Sequence, residues 1–166
     1  MALFYYAGHG IQYNGKNYLI PIDAELQKES YIEDDCVNAN RVLAALDESE
    51  CKMKIMILDA CRDNPFERSW NRSRGGSTTR GLAQMSAPIG TVIAYATSPG
   101  SVAQDGTGHR NSPYADAFLK TLDKPNLAIF DFFNEVATMV YDYTKEQQMP
   151  WNTNSPLRGN FYFNPK

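Results

Sequence analysis

Three short and largely apolar runs constrain the fold of this chain more than any other feature of its sequence. They cover Leu3 to Ala7, Met53 to Leu58 and Thr91 to Ala96, and each is five or six residues long. Runs of this length without polar alternation are typical of strands inside a parallel sheet. We therefore expect three buried strands, of which the first is covered on both faces.

Segments with helical features separate these runs. Asn38 is a candidate N-cap for a helix that ends near Glu48, and Ser112 followed by Pro113 is a typical helix start. A third helix is expected over 127–144, where apolar residues recur at helical spacing. Strands that alternate with helices predict an α/β fold with a mostly parallel sheet.

Turn and loop signals complete the predicted organisation. Asn14-Gly15 predicts a hairpin over 12–20, and Phe161 to Phe163 predicts a short final strand. Residues 62–88 contain SRGGSTTRG and little apolar periodicity, which indicates a loop or linker. We interpret the 166 residues as a single domain with parts at 1–61 and 89–166 on either side of this loop.

Charge and hydropathy exclude several classes of function. A net charge of −3 gives no general attraction to nucleic acid or to an anionic membrane. The apolar runs are far shorter than the roughly 18 residues of a membrane-spanning helix. No signal-peptide pattern begins at Met1, so a cytoplasmic location is favoured, although a targeting segment could precede this residue.

Cysteine and histidine usage argues against a structural metal or a disulfide scaffold. The chain has three cysteines, no CxxC pair and two histidines, which is a poor ligand set for zinc. An odd number of cysteines fits a reducing compartment or one free reactive thiol. A disulfide between Cys36 and Cys51 is the alternative for two of them.

One chemically reactive residue follows each of the first two apolar runs. His9 comes two residues after the first run, and Cys61 comes three residues after the second. Active sites of open α/β sheets lie beyond the carboxyl ends of the strands, and neighbouring strands are about 5 Å apart. We therefore expect His9 and Cys61 to face each other across a crevice.

Such a pair can perform nucleophilic catalysis. An imidazole can take the proton of a thiol, and the thiolate can attack a peptide carbonyl. The N–H groups of Gly10 and Cys61 are candidates for the oxyanion hole. The alternative for each residue alone is structural, because a buried cysteine is commonly a small hydrophobe.

Two motifs carry a resemblance to a known family. YYAGHG resembles the histidine motif of the caspase, metacaspase and paracaspase clan, and DACRDNP resembles the cysteine motif of its bacterial metacaspase-like members. The spacing of 52 residues between His9 and Cys61 is similar to that of the caspase signature, about 50. The resemblance continues through YATSPG to about Leu122, and the last 40 residues match loosely.

The resemblance implies a caspase-like three-layer α/β/α sandwich and a cysteine endopeptidase that uses His9 and Cys61. The chemistry requires no cofactor. Family domains begin with a further strand and helix portion, so the resemblance also implies an N-terminally truncated domain. The strand at residues 3–7 would then have an open edge through which the chain could associate with itself.

The resemblance also implies a substrate preference. Asp59 matches an aspartate that lines the S1 pocket in metacaspases and paracaspases, and a carboxylate there favours Arg or Lys as the P1 residue of the substrate. The alternative is that Asp59 only accepts hydrogen bonds from the turn that holds Cys61. Ala96, Thr97 and Ser98 are the candidates for backbone pairing with an extended substrate.

Two weaker site predictions follow from the resemblance. Asp23, Asp34 and Asp35 match three ligands of an activating calcium ion, but Arg68, beside Glu67, stands near the place of the fourth. These acids are otherwise solvated loop residues or residues that help a helix to begin. Asp105 is a weak candidate for a second pocket acid, and His109 is expected to be non-catalytic.

The loop over 62–88 is a candidate site of self-cleavage. An enzyme that prefers basic residues could cut there, and flexible loops are where nicking concentrates. The alternative is a solvated basic loop. The candidate residues are Arg68, Arg72, Arg74 and Arg80.

Three functions remain open at this point. The first is an endopeptidase that cuts after Arg or Lys, which intact His9, Gly10, Asp59 and Cys61 favour. The second is a non-catalytic binding or scaffold module with a relic dyad, which a missing N-terminal portion favours. The third is another thiol hydrolase or acyl transferase without a protein substrate.

Overall fold

The computed structural model describes residues 1–61, 78–79, 82–99, 101, 103–104, 106 and 110–166, with the backbone alone at 61, 78 and 79. The strands are β1 (Ala2–Tyr13), β2 (Lys16–Leu19), β3 (Val37–Asn38), β4 (Lys54–Cys61), β5 (Thr78–Thr79), β6 (Thr91–Tyr95) and β7 (Trp151–Asn154). The helices are α1 (Ile32–Asp35), α2 (Ala39–Glu48), α3 (Pro113–Leu122) and α4 (Ile129–Tyr143), and a 3-10 turn covers Glu29–Tyr31.

The strands form one sheet in the order β3-β2-β1-β4-β6-β7, with β5 paired to β1. The three central strands are the predicted apolar runs, and they are parallel. Both margins are antiparallel: a two-residue turn folds β2 back onto β1, and β7 pairs antiparallel with β6. Asn14 and Gly15 have φ angles of 50° and 73° in that turn, as the predicted hairpin requires.

Helices cover both faces of the sheet, which confirms the three-layer α/β/α prediction. On one face α3 and α4 pack on β4 and β6, around the buried residues Tyr114, Phe132 and Val136. On the other face α2 packs with a chain segment that contains Leu82 and Met85. The predicted caps are present: Asn38 Oδ1 accepts the N–H of Asn40, and Ser112 Oγ accepts the N–H of Ala115.

The prediction that β1 is covered on both faces is wrong. Leu3 is 43% exposed and Tyr5 is 36% exposed, although both lie on the face that carries α3 and α4. These helices pack mainly on β4 and β6, and their only aromatic contact with β1 is between Phe118 and Tyr5, among the described residues. Covered strands and partly covered strands can have the same apolar composition, so the sequence did not separate them.

One edge of β1 is open over residues 2–8 in the described part of the chain. These residues pair with β4 on one side, whereas β2 pairs only from Gly10 onward and the N–H of Ile20 bonds to His9. An open edge was expected from the resemblance. Self-association through it stays a prediction.

The final strand differs from its prediction. β7 is Trp151–Asn154, an edge strand whose polar sequence WNTN gives little strand signal. In the predicted segment, only Tyr162 forms an isolated bridge, to Ala128. The ring centroid of Phe163 instead lies 4.5 Å from that of Phe132 and 5.2 Å from that of Phe161, so Phe161 and Phe163 pack, partly buried, against the core on the side of α3 and α4.

Cys36 and Cys51 are both free, so the alternative of a disulfide between them is wrong. Burial, followed by the nearby Asp35, raises the pKa of the Cys36 thiol to about 11. None of the helices in the described ranges combines the length and apolar character needed to span a bilayer.

Candidate active site

The parallel ladder between β1 and β4 ends on the residue pair His9 and Cys61. Neighbouring strands lie about 5 Å apart, so these two residues are cross-strand neighbours at the carboxyl ends of their strands. The side chain of Cys61 is outside the described part of the chain. The register thus brings the two residues together at the backbone level, and their catalytic role stays a prediction.

The backbone of His9 is fixed by two donors. Its carbonyl oxygen accepts the N–H of Ile20 at 2.9 Å and the hydroxyl of Tyr6 at 2.7 Å. A Cβ on Gly8 would lie 2.7 Å from the Tyr6 hydroxyl oxygen, so a glycine is needed for this contact. The Nδ1 atom of His9 is buried and has no hydrogen-bond partner among the described residues. No described group therefore sets the tautomer of the ring.

The backbone N–H of Gly10 points towards β4, the strand that ends at Cys61. Because the carbonyl of His9 bonds to the β2 side, the alternation of a strand turns the N–H of Gly10 towards β4. With this register, the N–H groups of Gly10 and Cys61 belong to the last rungs of the β1–β4 ladder. Either group would have to leave a ladder partner to bind an oxyanion, and the oxyanion-hole assignment stays a prediction.

Residues 82–85 belong to the predicted loop over 62–88. They support the ends of β1 and β4 on the α2 face of the sheet. A Cβ on Gly10 would lie 2.9 Å from Leu82 Cδ2 and 3.2 Å from Ala60 Cβ, so Leu82 fills the space that these two small residues leave. The side-chain amide of Asn17 donates to the carbonyl of Ala83 and accepts its N–H, both at 2.7 Å. The 82–85 segment is therefore fixed directly behind the His9–Cys61 pair.

Asp59 is buried, with 4% of its surface exposed. Its Oδ2 atom accepts the hydroxyls of Tyr5 at 3.0 Å and Ser112 at 2.5 Å. Because Ser112 Oγ also accepts the N–H of Ala115, one hydroxyl both caps α3 and binds the carboxylate. These two donors come from β1 and the start of α3, not from the turn after β4. The S1 assignment of Asp59 stays a prediction.

Two tyrosines near Asp59 are held neutral. Burial, and then the charge of Asp59, raises the pKa of Tyr5 and the pKa of Tyr114. The Tyr114 hydroxyl is buried and has no hydrogen-bond partner in the described ranges. Neutral hydroxyls remain available as donors at physiological pH.

The three predicted substrate-binding residues differ in their surroundings. Ala96 already uses both backbone groups: its N–H donates to Leu58 at 3.0 Å, and its carbonyl accepts the side chain of Gln148 at 2.8 Å. Thr97 is buried, and Ser98 Oγ donates to Ser101 Oγ at 3.1 Å. Pairing of Ala96 with a substrate would require the release of these bonds, and the assignment of all three residues stays a prediction.

The candidate calcium ligands are not gathered into one cluster. Asp23 and Asp35 line an open cavity of about 550 Å³ together with Glu25, whereas Asp34 does not line it. The described residues contain no group of three His, Cys, Asp or Glu residues that could hold a metal ion. Asp34 and Asp35 instead belong to the single turn of α1. The calcium site stays a prediction that these contacts do not support.

Several residues for which the sequence makes a functional prediction lie outside the described part of the chain. They are Glu67, Arg68, Arg72, Arg74, Arg80, Asp105 and His109.

Sequence reasoning missed three residues that organise the site. Tyr6 anchors His9, Asn17 clamps the 82–85 segment, and Gln148 holds Ala96. Tyr6 lies within YYAGHG and could have been suspected from that motif. The other two are polar residues that lie outside the recognised motifs and meet their partners only through the tertiary fold.

Comparisons with known proteins agree with this arrangement. A family model described as the caspase domain of peptidase family C14 matches residues 1–162. The chain is 29% identical over 101 residues to human mucosa-associated lymphoid tissue lymphoma translocation protein 1 and to its mouse homolog. That match covers 61% of this chain and 11% of each relative, so the chain spans a small part of their length.

The fold also resembles a solved structure. The crystal structure of caspase-1 from Spodoptera frugiperda matches with a TM-score of 0.56 and 18% identity, over 99% of this chain and 63% of that one. The family model extends through β7 to residue 162, so it also covers most of the last 40 residues, which match the motifs only loosely. This chain is a member of the caspase-domain family of peptidases.

Proposed function

We propose that this protein is a cysteine endopeptidase that hydrolyses peptide bonds after Arg or Lys. One observation carries the proposal: the β1–β4 register pairs His9 with Cys61 at the carboxyl ends of neighbouring strands. Membership of the caspase-domain family supports the reaction class. Neither residue would need the other as a neighbour if both were only structural.

In the proposed reaction, His9 accepts the thiol proton of Cys61. The thiolate attacks the scissile carbonyl carbon and forms a C–S bond, and the N–H groups of Gly10 and Cys61 bind the oxyanion. When the intermediate collapses, the C–N bond breaks and the imidazolium of His9 protonates the leaving amine. Water, deprotonated by His9, then hydrolyses the thioester and regenerates the thiol.

Asp59 supports the preference for a basic P1 residue. Its carboxylate is buried, and an ion pair with Arg or Lys is stronger in a poorly solvated pocket than in water. The hydroxyls of Tyr5 and Ser112 hold this carboxylate in place, so a P1 side chain would meet an oriented acceptor. An acidic P1 side chain would be repelled.

The test is a panel of fluorogenic peptides that differ only in an Arg, Lys or Asp residue at P1. We expect turnover of the Arg and Lys peptides, no turnover of the Asp peptide, and complete loss of turnover in Cys61→Ala. Cys51→Ser is the matched control, because Cys51 is free and lies before β4, and it should retain wild-type rates.

Each assay is run with added calcium and with a chelator, since calcium as an activator is a separate prediction. Failure to cleave any peptide in both conditions would contradict the peptidase proposal. It would favour a non-catalytic binding module of the same fold.

A further inference from the structure

Gln148 is a fully buried amide that binds both ends of one loop. It is 0% exposed and lies between α4 and β7. Its Nε2 donates to the carbonyl of Ala96 at 2.8 Å, and its Oε1 accepts the N–H of Gln104 at 2.9 Å. One side chain therefore bonds to both Ala96 and Gln104, the residues on either side of 97–103.

This loop begins where β6 ends, beside the strand of Cys61. Among its described residues, the N–H of Ser101 donates to the carbonyl of Ser98 at 3.1 Å, and the two hydroxyls bond to each other. Ties at both ends reduce the conformational freedom of a loop. Without Gln148, no described hydrogen bond would join Ala96 and Gln104 through one side chain.

The backbone adopts an unfavourable conformation on the way to Gln148. Lys145 and Glu146 have φ angles of 52° and 66°, so two consecutive residues with a Cβ lie in the left-handed region. The N–H of Gln148 then donates to Thr144 Oγ1 at 3.1 Å, which closes the turn around the buried amide. Strain of this kind persists where the surrounding structure requires it, and it clusters at functional sites.

We propose that Gln148 is a positioning residue that sets the place of Thr97 and Ser98, the part of the predicted substrate-binding wall that follows its partner Ala96. This inference rests on the proposed function, since it concerns the binding of an extended peptide. Gln148 itself touches no substrate. It acts through the carbonyl of Ala96 and the N–H of Gln104, whose separation it fixes.

The test measures KM and kcat for the Arg peptide in two variants. Gln148→Met keeps the shape of the side chain and removes both hydrogen bonds, and Gln148→Glu keeps the acceptor for Gln104 while placing an oxygen against the carbonyl of Ala96. We expect KM to rise about tenfold, the effect of losing one buried hydrogen bond, with kcat changed by less than about twofold.

The neighbouring residue gives a matched control. Gln147 is exposed, and its Oε1 accepts the side chain of Gln104 at 3.2 Å. Gln147→Ala therefore removes an amide that contacts the same residue but not the wall, and its KM should equal that of the wild type.

The pH dependence of the Gln148→Glu variant separates positioning from a general structural effect. Burial raises the pKa of a carboxyl group, and the protonated acid can donate to Ala96 as the amide does. The ratio of its KM to the wild-type KM should therefore fall towards one as the pH is lowered. This rescue also keeps the test decisive if Gln148→Met does not fold.

Two outcomes would overturn the inference while the peptidase proposal stands. One is an unchanged KM in folded Gln148 variants, and the other is a loss of kcat at constant KM. Absence of turnover in the wild type would instead overturn the proposed function, and the positioning role would fall with it. Thermal unfolding of each variant establishes that it is folded.

Discussion

Strands β1 and β6 flank β4 in the same sheet, but they differ in how well they are covered. One row of side chains crosses the three strands on the face of α3 and α4: Leu3, Ile55 and Val92. Leu3 is 43% exposed, whereas Ile55 and Val92 are 0% exposed. All five residues of β6 are buried, and β6 has a partner strand on both sides.

The difference shows that His9 and Cys61 are supported by different means. Cys61 ends the central strand, whose hydrophobic residues are buried on both faces. His9 lies on a strand that is partly open, and its position depends on backbone anchors from Tyr6 and Ile20. Three predictions test this contrast, and they run from the largest expected effect to the smallest.

Ile55→Ala and Leu3→Ala compare cross-strand neighbours on one face. We expect the loss of Ile55 to lower the free energy of unfolding by about 4 kcal/mol, since it leaves a cavity in the core, and the loss of Leu3 to lower it by about 1 kcal/mol. Denaturant unfolding measures both values.

The same pair of variants tests self-association through the open edge of β1. If a second copy covers this edge, the loss caused by Leu3→Ala should grow with protein concentration. Equal losses for the two variants at every concentration would contradict the contrast between β1 and the centre of the sheet.

Gly10→Ala tests the carboxyl-terminal part of β1, which the 82–85 segment supports. The new Cβ would lie 2.9 Å from Leu82 Cδ2, so we expect a loss of about 2 kcal/mol in unfolding free energy and a lower kcat. Adding Leu82→Ala makes room for the methyl group. The double variant should therefore lose less than the sum of the two single variants, by roughly 1 kcal/mol. If the losses of unfolding free energy in the two single variants add up to that of the double variant, Leu82 does not limit the space at Gly10.

The third prediction concerns Tyr95, the last residue of the well-covered strand β6, and the pH dependence of the free energy of unfolding. Burial raises its pKa to about 12, while the N–H of Met85 donates to its hydroxyl. The folded state thus holds the proton more tightly than the unfolded chain. The stability is fully present below about pH 10, and it is lost as the pH rises through about 12.

At about pH 11 the loss from this one group should be roughly 1 kcal/mol. Unfolding free energies of the wild type and Tyr95→Phe, measured between neutral and alkaline pH, check the value. The Phe variant should show a shallower decline, and parallel curves would contradict the assignment.

The sequence was sufficient for features that depend on local pattern. The three apolar runs, the Asn14-Gly15 turn and the caps at Asn38 and Ser112 are where the pattern placed them. The strand-end rule placed His9 and Cys61 at one edge of the sheet, but their direct pairing depends on the order and register of the strands. Only the local features need no knowledge of how the elements pack.

Features that depend on packing were not predictable. The exposure of Leu3 depends on how far α3 and α4 extend over the sheet, which an apolar run does not encode. β7 is polar because it is a short edge strand, so it lacks the alternation that marks a half-buried strand. Gln148 meets its partners 52 and 44 residues away in the chain, and no local pattern indicates such contacts.

The register of β1 against β4 also has a consequence for biosynthesis. Residues 9 and 61 become cross-strand neighbours only when a non-local parallel ladder has closed. Ladders of this kind form slowly compared with helices and hairpins. If His9 and Cys61 form the proposed dyad, a chain emerging from the ribosome would have no peptidase activity until this ladder had closed.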